Sequence, residues 1–433
     1  MSIHARKSFP GLSFKVAAAA AAVAITMTGC GGSPQAASDG TVTLRFSWWG
    51  SDVRHKMTQK LIDAFQAENP NIKIKGEYGD WSGYWDKLAT QVASQDAPDI
   101  IQMDAAYLGE YAGRGALLEL KDVDQSKFDQ AVADAGKVDG KQYAITAGVN
   151  AQVVLANPAL VSASGVALPD DKTWTWDEYS KTAADITSKS QDGVYGSGAV
   201  TGDAPMNLWF RQHGKKLFSP DGTFGFDEND LKGWYEYQAK LRDSKAVPPA
   251  SVMTEDVTAS VDQQGLATNR FALAWYWSNQ LSALSKASGQ ALEIHRPPST
   301  DGSAAEAQQY YKSSQFWSAS SRTRHPAEVQ KFIDFLSNSV EAGEIALADR
   351  GIPGNSEVRA AVTPKLTPED AATAKFIDEI SSELGDAVPV PPAGSSSVME
   401  VLGRYGMEVH FNRLTPEEAA KKAYPEAKSQ LRG

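Results

Sequence analysis

The order of patterns between residues 42 and 104 constrains this chain most. Val42-Thr43-Leu44-Arg45-Phe46-Ser47 alternates apolar and polar residues, the period of a half-buried strand. Met57, Leu61, Ile62 and Phe65 then recur at helical spacing, and Asn69-Pro70-Asn71 stops that helix. Ile72 to Tyr78 alternates again until Gly79-Asp80 breaks the run. A second helix carries Trp85, Leu88 and Val92 on one stripe. Ala97-Pro98-Asp99 ends that segment, and Ile100-Ile101-Gln102-Met103 forms a third strand ending at Asp104. Strands joined by short crossover helices imply a parallel sheet with right-handed connections, so the expected fold class is α/β. In such sheets ligands sit beyond the carboxyl ends of the strands. Those ends carry Trp49 to Asp52, Gly79 to Tyr84, and Asp104.

The later chain mixes strands and helices. Gln142–Ala147 and Val153–Ala156 are short extended runs flanking Gly148-Val149-Asn150, a polar joint suited to a crossing between lobes. Thr175 is the expected cap of a helix, with Glu178 placed for a capping box, and Trp174 and Tyr179 placed for a hydrophobic staple. Phe271-Ala272-Leu273-Ala274 is a strand running into Trp275-Tyr276-Trp277-Ser278-Asn279. Leu292–His295 and Ser314–Ala319 are further strands. Beyond Pro326 the chain turns helical, with Val329, Phe332, Ile333 and Leu336 on one stripe. Arg350-Gly351-Ile352-Pro353-Gly354-Asn355 stops the next helix. Thr367-Pro368 and Thr415-Pro416-Glu417-Glu418 open two more, the second again with the capping-box pattern.

The chain holds one cysteine, Cys30, so no disulfide framework supports it and packed cores must. Arg6, Lys7 and Lys15 precede an apolar run from Val16 to Met27, which is the pattern of an export signal and is too short for an ordinary membrane span. Met27-Thr28-Gly29-Cys30 resembles a bacterial lipobox, which implies removal of residues 1–29 and lipid on Cys30. Residues 30–40 bury nothing and form a flexible tether. Cleavage would remove three positive charges and no acidic ones, taking the formal net charge from −11 to −14. Phosphate backbones need Lys and Arg, so a nucleic-acid partner is not expected. No second apolar stretch approaches the ~20 residues that cross a bilayer. The expected location is therefore the extracellular face of a cell membrane, held by lipid. The length points to two or three domains.

The six histidines never fall at helical metal-ligand spacing, and no Gly-x-Ser-x-Gly elbow or phosphate loop occurs. Neither metal nor cofactor is expected. Carboxylates are plentiful, and their number alone leaves a glycosidase pair open. The eleven tryptophans cluster, as at Trp48-Trp49, Trp81 with Trp85, Trp174 with Trp176, and Trp275 with Trp277. Indole favours places with one apolar and one wet side. A sugar offers a C–H face to an aromatic ring and hydroxyls to Asp, Asn or Arg. Trp85 and Trp234 fit helical stripes and are expected in the core, whereas Trp49, Trp81 and Trp275 stand at strand ends or turns and are candidate ligand contacts. Asp80, Asp104, Asn150 and Arg350 would supply polar partners. Asp104 fits a helix cap equally well, and Arg350 also fits a helix C-terminus.

Over residues 41–433 the chain resembles the family 1 bacterial extracellular solute-binding proteins, the maltose-binding-protein-like sugar receptors of ABC importers. The likeness lies in the lipobox, in Tyr84-Trp85-Asp86-Lys87-Leu88 leading to Ala97-Pro98-Asp99-Ile100-Ile101, in Trp275-Tyr276-Trp277-Ser278-Asn279, and in Arg350-Gly351-Ile352-Pro353-Gly354. The resemblance implies a two-lobed periplasmic-binding-protein-like fold of type II, with a mostly parallel sheet flanked by helices in each lobe. Lobe one would be 41–149 plus 317–365, and lobe two 150–316 plus 366–433, with hinge crossings near Asn150 and Phe316. It implies that Trp275 stacks on sugar, and that Gly50 to Asp52 and Asp104 line the cleft. With the strand-end residues, the candidate ligand set is Trp49, Ser51, Asp52, Asp80, Trp81, Tyr84, Asp104, Asn150, Trp275, Trp277, Phe316 and Arg350. The implied function is non-catalytic: a monomeric, lipid-anchored receptor binds a sugar or oligosaccharide and delivers it to an ABC permease. A lipid-anchored glycoside hydrolase is the alternative, as is the same receptor fold for a polyol, glycerol phosphate or peptide.

Overall fold

The computed structural model describes residues 41–431 apart from 51, 80, 220, 260, 387 and 393. Cys30, Ser51 and Asp80 therefore lie outside the described residues. Residues 41–433 form one compact unit. Its centre is an eight-stranded sheet built from β1 (Val42–Trp49), β2 (Ile72–Gly79), β3 (Ile100–Met103), β4 (Ala144–Ala156), β5 (Tyr195–Ser197), β6 (Phe271–Trp277), β7 (Glu293–His295) and β8 (Tyr311–Ala319). The order is β2-β1-β3-β8-β4-β6-β5, with β7 also paired to β4. The expected α/β class is what forms. β1 pairs in parallel with β2 and β3, and β6 with β5, whereas β4 and β8 insert antiparallel to their neighbours.

The helices between the first strands are α1 (Asp52–Glu68), α2 (Trp81–Ala93) and α3 (Ala105–Gly113). Adjacent side chains on a strand point to opposite faces. Trp48 accordingly joins a cluster with Phe46, Phe65 and Phe332, while Trp49 joins a second with Tyr84, Trp85 and Met103. Gly76 on β2 leaves room for Trp48, because a Cβ there would lie 2.6 Å from its ring. A third cluster gathers α4 (Trp176–Lys189), α5 (Asp203–Gln212) and α6 (Glu228–Asp243) around Trp176, Trp234 and Tyr237. The later helices are α7 (Leu281–Ser288), α8 (Pro326–Asn338), α9 (Val340–Ala346), α10 (Pro368–Glu379), α11 (Ser395–His410) and α12 (Pro416–Lys428). α9 packs on α1, α10 on α7, and α11 and α12 on α6.

Local signals behave as their chemistry dictates. Both expected capping boxes form, at Thr175 with Glu178 and at Thr415 with Glu418. Trp174 meets Tyr179 edge to face at 5.5 Å, as a staple requires. The polar joint differs from expectation. Gly148-Val149-Asn150 does not interrupt β4, which runs unbroken over 13 residues. The irregularity sits in β8, where the register shifts around Gln315. Ser314 turns aside there and its hydroxyl donates to the carbonyls of Gly148 (3.0 Å) and Arg350. Val149 also exchanges backbone hydrogen bonds with Ile352, so β4 stays paired through the joint.

Candidate functional site

At the carboxyl ends of β1 and β2 stands a group of rings. Trp49 meets Trp81, Tyr84 and Trp85 at centroid distances of 5.0, 5.1 and 5.5 Å. Trp85 stacks on Tyr107 at 3.7 Å. Burial sorts them: Trp49, Tyr84 and Trp85 are all below a tenth exposed, whereas Trp81 is 47% exposed. The Tyr84 hydroxyl donates to the carbonyls of Gln102 on β3 at 2.7 Å and Ser47 on β1 at 3.3 Å, so it braces two strands, and desolvation raises its pKa far above the usual range. Trp81 is the ring of this group that faces solvent. Asp104 caps α3, its Oδ1 accepting from Ala106 N at 2.9 Å. Asp52 opens α1.

β4 links this region to the third apolar cluster. Val149, Ala151, Val153 and Leu155 face the first cluster. On the other face Ala144 joins the second cluster and Val154 and Ala156 join the third. The interval between them is Thr146, Gly148, Asn150 and Gln152, polar or small throughout. Among the described residues, Asn150 Oδ1 and Gln152 Oε1 are buried without a hydrogen-bond partner. A buried carbonyl oxygen left unpaired is costly, and a hydroxyl-bearing solute is a natural donor for it.

Trp277 lies directly opposite Gln152, and Lys312 directly opposite Asn150. The Lys312 ammonium stands 4.8 Å from the Trp277 ring centroid, and Tyr310 meets that ring edge-on at 6.2 Å. Trp275 is further in. Its Nε1–H donates to Tyr179 Oη at 3.0 Å, and its ring stacks on Trp176 at 5.3 Å. It is 9% exposed, so little of its face is open.

Two candidates lie deeper in the protein. Phe316 sits opposite Met103 inside the second cluster, 2% exposed. Arg350 is buried, its Nη2 donating to Thr58 Oγ1 at 2.7 Å and its guanidinium 5.1 Å from the Trp317 ring. Its nearest carboxylate, Asp349 at 3.9 Å, is bound to Arg54 at 2.8 Å. Burial, then Arg54, lowers its pKa to about 9. Gln152, Lys312 and Tyr310 were missed in the sequence. Lys312 precedes the expected start of the strand at Ser314, and only the full β8 puts it opposite Asn150.

Two surface depressions lie elsewhere. One of about 740 Å³ is bordered by Thr363, Pro368 and Lys375, and one of about 390 Å³ by Ser285, Lys286 and Glu369. Neither lining includes an aromatic ring, so neither offers the face on which a sugar rests. Among the described residues no cluster of His, Cys, Asp or Glu is placed to hold a metal ion.

A model of the bacterial extracellular solute-binding proteins matches residues 60–375. An uncharacterized lipoprotein in the oleD 5' region of Streptomyces antibioticus is 25% identical over 360 residues, which is 79% of this chain and 77% of that protein. An extracellular solute-binding protein of family 1 from Alicyclobacillus acidocaldarius superposes with a TM-score of 0.77 at 28% identity, covering 91% of this chain and 99% of its own. A periplasmic oligogalacturonide binding protein from Yersinia enterocolitica also gives 0.77, at 22% identity, covering 90% and 98% respectively. Because that family model covers well over half of the chain, the chain belongs to the family of bacterial extracellular solute-binding proteins.

Proposed function

We propose that this protein is a lipid-anchored receptor that binds a sugar or oligosaccharide, unaltered, and delivers it to an ABC permease. The observation that carries the reading is the polar interval on β4. Asn150 and Gln152 hold unpaired amide oxygens there, and Trp277 stands on the adjacent strand. Sugar hydroxyls would donate to those oxygens, and ring C–H faces would lie on Trp81 and Trp277. Lobe one would be 41–149 plus 317–365, and lobe two 150–316 plus 366–433. β4 and β8 would be the crossings, with Ser314, Gly148 and the Arg350–Ile352 loop as the joint. A solute touching both lobes favours the closed form by its extra contacts, as domain closure requires. The test is calorimetric titration of the folded protein with neutral and acidic mono- and oligosaccharides, followed by mass analysis of the recovered sugar. Saturable binding at one site with the sugar intact is expected. Silence across the panel, or cleavage of the sugar, would overturn the reading.

A further inference from the structure

Two cations in this region form no ion pair among the described residues. Among the described residues Lys312 forms no ion pair; its ammonium lies over Trp277 at 4.8 Å. Arg211 forms none either. Its guanidinium lies 5.3 Å from the Tyr310 ring, and donates instead to the backbone carbonyls of Gln308 and Asp386 at 3.0 and 2.7 Å. Tyr310 touches Trp277, so the order across this face is Lys312, Trp277, Tyr310, Arg211: cation, ring, ring, cation. Asp386 lies 3.7 Å from Lys216 and also acts on Arg211, and Asp203 acts on the Tyr310 hydroxyl.

A neutral sugar laid on Trp277 would have to displace the Lys312 ammonium and would gain no counter-charge. A sugar bearing a carboxylate would keep that ammonium as an ion partner while its ring rests on the indole. A charge-assisted hydrogen bond of that kind is about twice as strong as a neutral one. Asn150 Oδ1, opposite Lys312 across the β4–β8 pair, remains an acceptor for a hydroxyl of the same residue.

We infer that the solute is an acidic carbohydrate of the uronic acid class, and that Lys312 binds its carboxylate. The inference rests on the receptor reading above. The test compares matched pairs, cellobiouronate against cellobiose and digalacturonate against galactobiose, on wild type and Lys312→Met at low and high salt. Lys312 is exposed, so the variant is expected to fold. At least one acid should bind about tenfold or more tightly than its neutral counterpart, as a hydrogen bond to a charged group allows. The gap should narrow with salt and vanish in Lys312→Met. Equal or tighter binding of the neutral sugars overturns the acidic class and leaves the receptor reading standing. A preference that survives Lys312→Met overturns the assignment of Lys312. A folded protein that binds none of the four overturns the receptor reading, and this inference with it.

Discussion

Trp81 opens α2 and Trp275 lies within β6, and their surroundings assign them opposite consequences. Trp275 is covered, stacked on Trp176 and hydrogen-bonded to Tyr179. Trp275→Ala should therefore destabilise the fold by about 3–5 kcal/mol, the range for truncating a packed aromatic side chain. Urea unfolding checks this, and a midpoint equal to wild type would contradict it. Trp81 is half exposed and touches its neighbours edge-on. Trp81→Ala should leave stability within about 1 kcal/mol and weaken sugar binding by about 1–2 kcal/mol. Calorimetry separates the two, and undiminished affinity would remove Trp81 from the site. The sequence put both residues at strand ends but carried no sign of this split. Exposure depends on what packs over a ring, and Trp176, the residue that covers Trp275, lies about a hundred positions away.

At the scale of elements, α11 and α6 are joined through a buried histidine. His410 Nε2 meets Gln238 Oε1 at 2.8 Å, and Gln238 donates its own N–H to the Val200 carbonyl. Burial, then the charge of Arg242, lowers the His410 pKa from 6.5 to about 4. The folded state thus takes up this proton later than the unfolded chain as pH falls. The contribution is complete above about pH 6.5 and is lost between 6.5 and 4, so stability should rise with pH across that window. His410→Gln should flatten that part of the profile, measured as unfolding free energy against pH; an unchanged slope would contradict the assignment. Capping boxes at Thr175 and Thr415 were legible because their chemistry lies within four residues. Thr175→Ala should cost about 1 kcal/mol in the same assay. The break in the strand was misplaced for the converse reason. Gly148 and Asn150 look like a break, but pairing to Ile352 and β8 holds β4 straight and moves the irregularity to Ser314.

For the molecule as a whole, the strand-helix alternation over 42–104 carried the α/β class, because crossover handedness leaves few alternatives. What stayed hidden was the pairing of β4 with β8, which sets Lys312 against Asn150 although they lie 162 positions apart in the chain. No local pattern encodes a contact of that range. The proposed anchor is a property of the whole molecule: Cys30→Ser should release the protein from the membrane fraction, and mass spectrometry of the wild type should find lipid on Cys30. Retention of the Ser variant at the membrane would contradict the anchor. The account turns finally on where a carbohydrate rests. A crystal structure with the tightest-binding sugar should show it against Trp81 or Trp277, its hydroxyls within hydrogen-bond distance of Asn150 Oδ1 and Gln152 Oε1. A sugar lodged beside Lys375 or Lys286, with both amide oxygens untouched, would contradict it.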